Sequence, residues 1–393
     1  MNVAVLGCGA IGGVLAACLT RAGVRVTPIT GNPAIALALV EHGYRVQDVD
    51  GRSWSVLPSA TPIVSAGDTG DGTPAPFDLV IVATQSTRLA AALESVRSRL
   101  APNGKVIVCQ NGLPEDRAAR IIGGERVVGC VVSWGASMTE PGRYLRTSRG
   151  VCTLGRTASA RTSAAVSLDA PAAAADLAAA DLAATADLAA LARLLECASP
   201  AHVAEDFAGV RWSKLAINCC TTTIGAVGGA PLGPLLRHRF ARRIALEVFA
   251  EVNAVARAAG VRPALVGGTL DIEKVSITAA ERHLRVGSPS LFVKHSILLA
   301  VGFKYRRLRS SMLYALERGR PPEIDFLNGE VVRHGQALGV PTPMNHALVE
   351  TIRRIAAGEA KSSLATLREV YDRIVETPRP PRAETGTAPH AFI

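Results

Sequence analysis

The chain holds little aromatic material, 4% of 393 residues, and its charged fraction of 19% is below the ordinary level of about 25%. With 48% hydrophobic residues and a positive mean hydropathy, that shortage of charge excludes a chain that is disordered as a whole. No C-x-x-C pair occurs among the eight cysteines, most of which lie in apolar runs such as Val108-Cys109 and Asn218-Cys219-Cys220. This excludes a disulfide framework and a cysteine zinc site, and predicts reduced core thiols in a reducing, cytoplasmic compartment. The histidines form no H-E-x-x-H and no triad-like grouping, so no metal is expected. Long membrane-type runs are missing too. Asn2 to Thr20 is uncharged, but no basic region precedes it and Gly7, Gly9, Gly12 and Gly13 interrupt it, while Leu298 to Phe303 is far too short to span.

What is present is length. At 393 residues the chain exceeds the roughly 250–300 residues that one core usually organises, so two domains are expected. Val3-Ala4-Val5-Leu6 reads as a strand buried on both faces, Ile11 to Ala22 as a helix closed by Gly23, and Val24-Arg25-Val26-Thr27 as a second strand. Further strands at Leu79–Ala83 and Lys105–Val108, with a helix over Thr87–Leu100 between them, continue the alternation to residue 157. Residues 158–200 are alanine-rich and read as a helical connector with no chemistry of its own. From 201 to 375 the pattern becomes helical, with runs over Trp212–Ala226, Leu235–Ala259, Ser290–Glu317 and Pro322–Leu338, and the proline-bearing tail 376–393 reads as disordered. The expected fold is therefore α/β: an N-terminal Rossmann-type dinucleotide-binding domain followed by an all-helical C-terminal domain.

Gly7-Cys8-Gly9-Ala10-Ile11-Gly12 matches G-x-G-x-x-G between that first strand and helix. The first glycine permits the tight turn, the second lets the backbone approach a pyrophosphate, and the third lets helix and strand pack. At the end of the second strand, where a carboxylate would select NAD and a cation NADP, the chain runs Pro28-Ile29-Thr30-Gly31-Asn32. Neither charge is there. Thr30 and Asn32 can bond ribose or phosphate, and Arg52 or Arg88 are the cations that could reach in from elsewhere.

In the second half, Lys214, Asn218 and Thr222 recur every four residues and share one helical face inside an apolar segment. A lysine desolvated there would have a lowered pKa suited to proton transfer, although a solvated face accounts for the same spacing. Glu323 and Asp325 after Pro321-Pro322 suit ordinary helix capping as well as a substrate site. Lys304-Tyr305-Arg306-Arg307-Leu308-Arg309 reads as a solvated face or an oligomer contact, with no nucleic-acid motif beside it.

Taken together, the glycine turn, Gln110-Asn111-Gly112-Leu113, Trp212-Ser213-Lys214-Leu215-Ala216-Ile217-Asn218, and Ser310-Ser311-Met312 through Glu323-Ile324-Asp325-Phe326-Leu327-Asn328-Gly329 resemble the ketopantoate reductase family along the whole chain. The resemblance implies an oxidoreductase that passes hydride from NAD(P)H to the ketone of a small 2-oxo acid, first of all 2-dehydropantoate to (R)-pantoate in pantothenate biosynthesis. It implies Lys214 as proton donor and Glu323 as the acidic residue that orients substrate, with Asn218, Ser311, Asn111 and Thr222 on the substrate side. Gly7, Gly9, Ala10, Ile11 and Gly12, with Thr30, Gln85 and Asn111, are the implied cofactor contacts. NADPH is the cofactor the resemblance favours, with NADH kept as the alternative, because Gly31 and Gln85 stand where family members usually carry cations. Thr222 and Leu308 stand where asparagines are usual, which keeps open a different 2-oxo acid or a bulkier ketone. A dinucleotide sensor without turnover is the reading from another class, and a homodimer is left open. The excess of ten positive charges suits small anionic ligands and requires no nucleic acid or membrane.

Overall fold

The computed structural model describes residues 1–64, 75–156, 185–264, 270–283 and 287–376. The expected first unit is present as β1 (Asn2–Leu6), α1 (Ala10–Arg21) and β2 (Arg25–Ile29), with Gly23 at φ +82° turning the chain between helix and strand. Val3, Ala4 and Val5 are fully buried, as a strand covered by helices on both faces requires. After α2 (Pro33–His42), the strands β3 (Tyr44–Gln47) and β4 (Ser53–Val56) leave the main sheet. They join β8 (Gly135–Glu140) and β9 (Arg143–Ser148) in a separate four-stranded sheet, ordered β4-β3-β9-β8. Sequence reasoning did not anticipate this sheet. Its strands are short, and β3 pairs with β9 nearly a hundred residues away.

The main sheet is built from β5 (Phe77–Val82), β6 (Leu100–Val108), β7 (Val127–Val132), β10 (Cys152–Gly155) and β11 (Ala201–Val203) with β1 and β2. Its order is β2-β1-β5-β6-β7-β10-β11, and every pairing is parallel except β10 with β7. Between β5 and β6 the expected helix is shorter than its apolar pattern: a 3-10 turn over Ser86–Arg88 precedes α3 (Leu89–Arg97). Between β6 and β7 lies α4 (Glu115–Ile122).

A helix over residues 185–195 packs Leu188, Ala192 and Leu195 into the first core, and β11 then adds a strand beside β10. Residues 185–203 therefore pack with the core and sheet of the first domain. The alanine-rich segment 157–184 and the tail from 377 lie outside the described residues, while Glu376 ends a single π-helical turn over Asp372–Glu376.

The helical domain begins with the 22-residue helix Phe207–Gly228, capped by Asp206, which accepts from Gly209 N at 2.9 Å, and closed by Gly229 at φ +64°. Leu215, Cys219 and Ile224 pack against Val248, Val252, Leu348 and Ile352 from the helices Arg239–Ala258 and Pro343–Ala356. Three of the expected helical runs are broken. Leu232–Leu236 is a separate short helix before Arg239–Ala258, Ser290–Glu317 is divided into Pro289–Lys304 and Ser311–Glu317, and Pro322–Leu338 opens as a 3-10 turn, Glu323–Phe326, before Asn328–Ala337. Ser310 explains one break: its hydroxyl caps Leu313 N and donates to Thr222 O at 2.6 Å, so the chain must turn there.

Candidate active site

The glycine turn follows the C-terminal end of β1, where ligands bind in open parallel sheets. Gly7, at φ +91°, adopts a conformation few other residues tolerate, and its N–H is held by Ile29 O at 2.8 Å. A Cβ on Gly12 would lie 2.0 Å from Gly7 O, so only glycine lets α1 pack this closely on the turn. Gly9 is different: a Cβ there would meet nothing within 4 Å. Its backbone faces open space at the N-terminus of α1, whose first turn has neither a side-chain cap nor an acidic residue. The N–H groups of a helix's uncapped first turn and its positive end suit a pyrophosphate. The turn Gly7–Gly12, which holds the expected contacts Gly7, Gly9, Ala10, Ile11 and Gly12, therefore fits a dinucleotide.

At the end of β2, Thr30 is buried and its hydroxyl accepts from Asn32 N at 3.3 Å. Asn32 is engaged as the cap of α2, its Oδ1 accepting from Ala34 N at 3.0 Å. The segment Thr30-Gly31-Asn32 itself carries no carboxylate. Gln85 opens the turn after β5, and the next residue ties that turn across the crevice: Ser86 N donates to Glu323 Oε1 at 2.7 Å and Ser86 Oγ donates to Asn111 O at 3.2 Å.

Asn111 lies on the loop after β6. Its Oδ1 accepts from Asn218 Nδ2 at 2.9 Å, and Gly112, at φ +89°, turns the loop so closely under Phe326 O that a Cβ would sit 2.2 Å from it. The sequence pairs Asn218 with Lys214 by helical spacing, and the structure joins Asn218 to Asn111, whose carbonyl accepts from Ser86, the residue that also donates to Glu323. Thr222, one turn on, is half-buried and contributes its carbonyl to Ser310. Ser311 is exposed as the first residue of its helix, and Ser310 is the serine that contacts the Lys214 helix.

Lys214 is partly buried and has no hydrogen-bond or ion-pair partner among the described residues. Burial lowers its pKa below the ordinary lysine value, and the Arg211 guanidinium lowers it further. Arg211, one turn earlier, was not singled out from the sequence. It is buried, pairs with Glu115 of α4, and donates to Gln110 O at 3.0 Å and Cys130 O at 3.3 Å. It thus fastens the lysine-bearing helix to the first domain. A buried arginine in an apolar stretch is the only sequence signal that could have pointed to it. Among the described residues no cluster of His, Cys, Asp and Glu could hold a metal, and no helix is long and apolar enough to cross a membrane.

A parallel sheet with an uncapped glycine turn at a strand end, joined to a helical domain that carries an unpaired, partly buried lysine, suits a two-domain nicotinamide-dinucleotide oxidoreductase. The particular family follows from comparison. The model described as ketopantoate reductase PanE/ApbA matches residues 3–159, and that of its C-terminal domain matches 206–356. The chain belongs to the ketopantoate reductase family. It is 25% identical over 377 residues to a 2-dehydropantoate 2-reductase of Mesorhizobium japonicum, covering 91% of this chain and 98% of that one. A PanE/ApbA family ketopantoate reductase of Ralstonia eutropha JMP134 superposes with a TM-score of 0.69 at 25% identity, over 91% of this chain and 99% of that one. D-mandelate dehydrogenase, solved with NADH and anilino(oxo)acetate, shares the fold at a TM-score of 0.69 and 19% identity, with the same coverage.

Proposed function

We propose that this chain is a cytoplasmic NAD(P)H-dependent reductase of a small 2-oxo acid, with 2-dehydropantoate as substrate and (R)-pantoate as product. The observation that carries the reading is Lys214, a partly buried ammonium with no anionic partner, one helical turn from Asn218, which is bonded to Asn111 across the crevice. Bound nicotinamide supplies the hydride. As the carbonyl oxygen gains negative charge, Lys214 Nζ stabilises it and then releases a proton to it. Asn218 and Asn111 fix the substrate between the domains, Glu323 orients it, and Ser311 is the serine on the carboxylate side. Keeping the ammonium part-buried strengthens its pull on the developing oxyanion and brings its acidity nearer to neutral pH.

NADPH is the preferred donor in this reading, since Thr30-Gly31-Asn32 carries no carboxylate to repel a 2′-phosphate. A second reading, a different 2-oxo acid or a bulkier ketone, is favoured by Thr222 and Leu308 at positions where asparagines are usual. A sensor without turnover is disfavoured because it has no need of an unpaired, partly buried lysine. Both are tested by following reduced-nicotinamide absorbance with NADPH and NADH against 2-dehydropantoate and a panel of 2-oxo acids. Fastest turnover of 2-dehydropantoate is the expected result. A wide margin for another ketone would replace the substrate, and tight cofactor binding with no turnover on any ketone would sink the enzyme reading.

A further inference from the structure

The strand end that should distinguish NADP from NAD carries no charge of its own, yet one cation reaches it from a different loop. A Cβ built on Gly31 would have a single neighbour within 4 Å, the Nη1 atom of Arg88, at 3.7 Å. We propose that Arg88 binds the 2′-phosphate of NADPH, supplying from the turn after β5 the positive charge missing at the end of β2. This rests on the reading of the chain as a dinucleotide reductase.

Three observations support it. Arg88 is exposed, and its guanidinium has no hydrogen-bond or ion-pair partner among the described residues. An unpaired guanidinium can offer a phosphate two parallel N–H donors. The other cation considered for this role, Arg52, is already engaged in the turn between β3 and β4: it contacts Asp50 at 2.6 Å and donates to it through Nε at 2.7 Å. Finally, the backbone that carries Arg88 is held in place. Ser86 is tied to Glu323 and Asn111, and Leu89, the next residue, is fully buried. Between these anchors Arg88 hangs from a rigid turn beside an exposed glycine that leaves room for a phosphate.

The same anchoring makes the proposal specific about geometry. In the sheet β5 is separated from β2 by β1, so the Arg88 side chain reaches past the end of β1, where the glycine turn begins. A phosphate on the adenosine ribose, bound beyond that turn, would lie against the exposed side of the Arg88 guanidinium, beside Gly31. Glycine at position 31 then has a use, since a longer side chain would occupy the approach.

The test is equilibrium binding to the full-length protein, read from tryptophan fluorescence quenching, with NADPH, NADH, 2′,5′-ADP and 5′-AMP as probes. A charged hydrogen-bonded contact of this kind is worth roughly tenfold to a hundredfold in affinity. Wild type is expected to bind NADPH and 2′,5′-ADP more tightly than NADH and 5′-AMP by about that factor. Arg88→Ala should abolish the difference while leaving the NADH and 5′-AMP affinities within about twofold, and Arg88→Lys should restore part of it. Equal weakening of all four probes in Arg88→Ala, or an unchanged NADPH affinity, would overturn the assignment to Arg88. If wild type bound none of the four probes, the dinucleotide reading itself would fall, an outcome distinct from the loss of the arginine alone.

Discussion

Asn218 Nδ2 donates to Asn111 Oδ1 at 2.9 Å, joining the long helix of the second domain to the loop that follows β6 in the first. Each partner is held by its own domain: Asn218 is a buried residue of a 22-residue helix, and Asn111 is fixed by the Gly112 turn beneath Phe326. Asn218→Ala should therefore lower kcat/KM for the 2-oxo acid roughly tenfold to a hundredfold, since a hydrogen bond is lost and a polar group is left unpaired. Steady-state kinetics would check this, and an unchanged kcat/KM would remove Asn218 from the substrate side.

Lys214→Ala should reduce kcat by about 10²–10⁴-fold, the usual range for loss of a positioned acid. Its NADPH affinity should stay near wild type, because the expected cofactor contacts lie on the first domain. Normal turnover in this variant would show that another group delivers the proton.

The lowered pKa of Lys214 has a definite sign in kinetics. Ketone reduction requires the protonated ammonium, so kcat should fall as pH rises through a value below the ordinary lysine pKa of about 10.4. The reverse oxidation requires the neutral amine and should gain over the same range. A pH profile in both directions tests this, and a reduction limb at or above the ordinary lysine value would contradict the desolvated site.

Gly9→Ala and Gly12→Ala should separate binding from folding. At Gly9 the new methyl meets open space in the protein, so the thermal midpoint should hold while dinucleotide affinity drops. At Gly12 the methyl would lie 2.0 Å from Gly7 O, so the first domain itself should be destabilised. Calorimetry of unfolding and cofactor titration on both variants would show whether the two glycines divide in this way.

Glu115→Ala should leave Arg211 as an uncompensated buried charge, since both side chains of the pair are 3% exposed. Breaking such a pair costs about 3–5 kcal/mol, and the thermal midpoint should fall by several degrees. A midpoint equal to wild type would mean that the two carbonyls Arg211 reaches are sufficient to hold it.

The local features of the site were legible because their physics is local. The glycine turn is a strand end, a helix start and three residues without side chains, all within twelve positions, and the Lys214–Asn218 face follows from helical spacing alone. The resemblance to a family added roles for residues such as Glu323 and Ser311 that spacing could not assign. Other features had no local signature. The four-stranded sheet depends on β3 meeting β9, and residues 185–203 join the first domain because a core awaits their apolar side chains.

The amino-acid order by itself determined an α/β dinucleotide domain, a helical domain and a lysine on an apolar helix, since each rests on residues close together in the chain. Tertiary structure alone decided which groups meet: Asn218 with Asn111, Glu323 with Ser86, Arg211 with Glu115, and Arg88 with Gly31. The physical reason is the range of the interactions. Backbone conformation and side-chain periodicity act over a few residues, whereas pairing across a crevice depends on how two cores and a sheet order place distant loops.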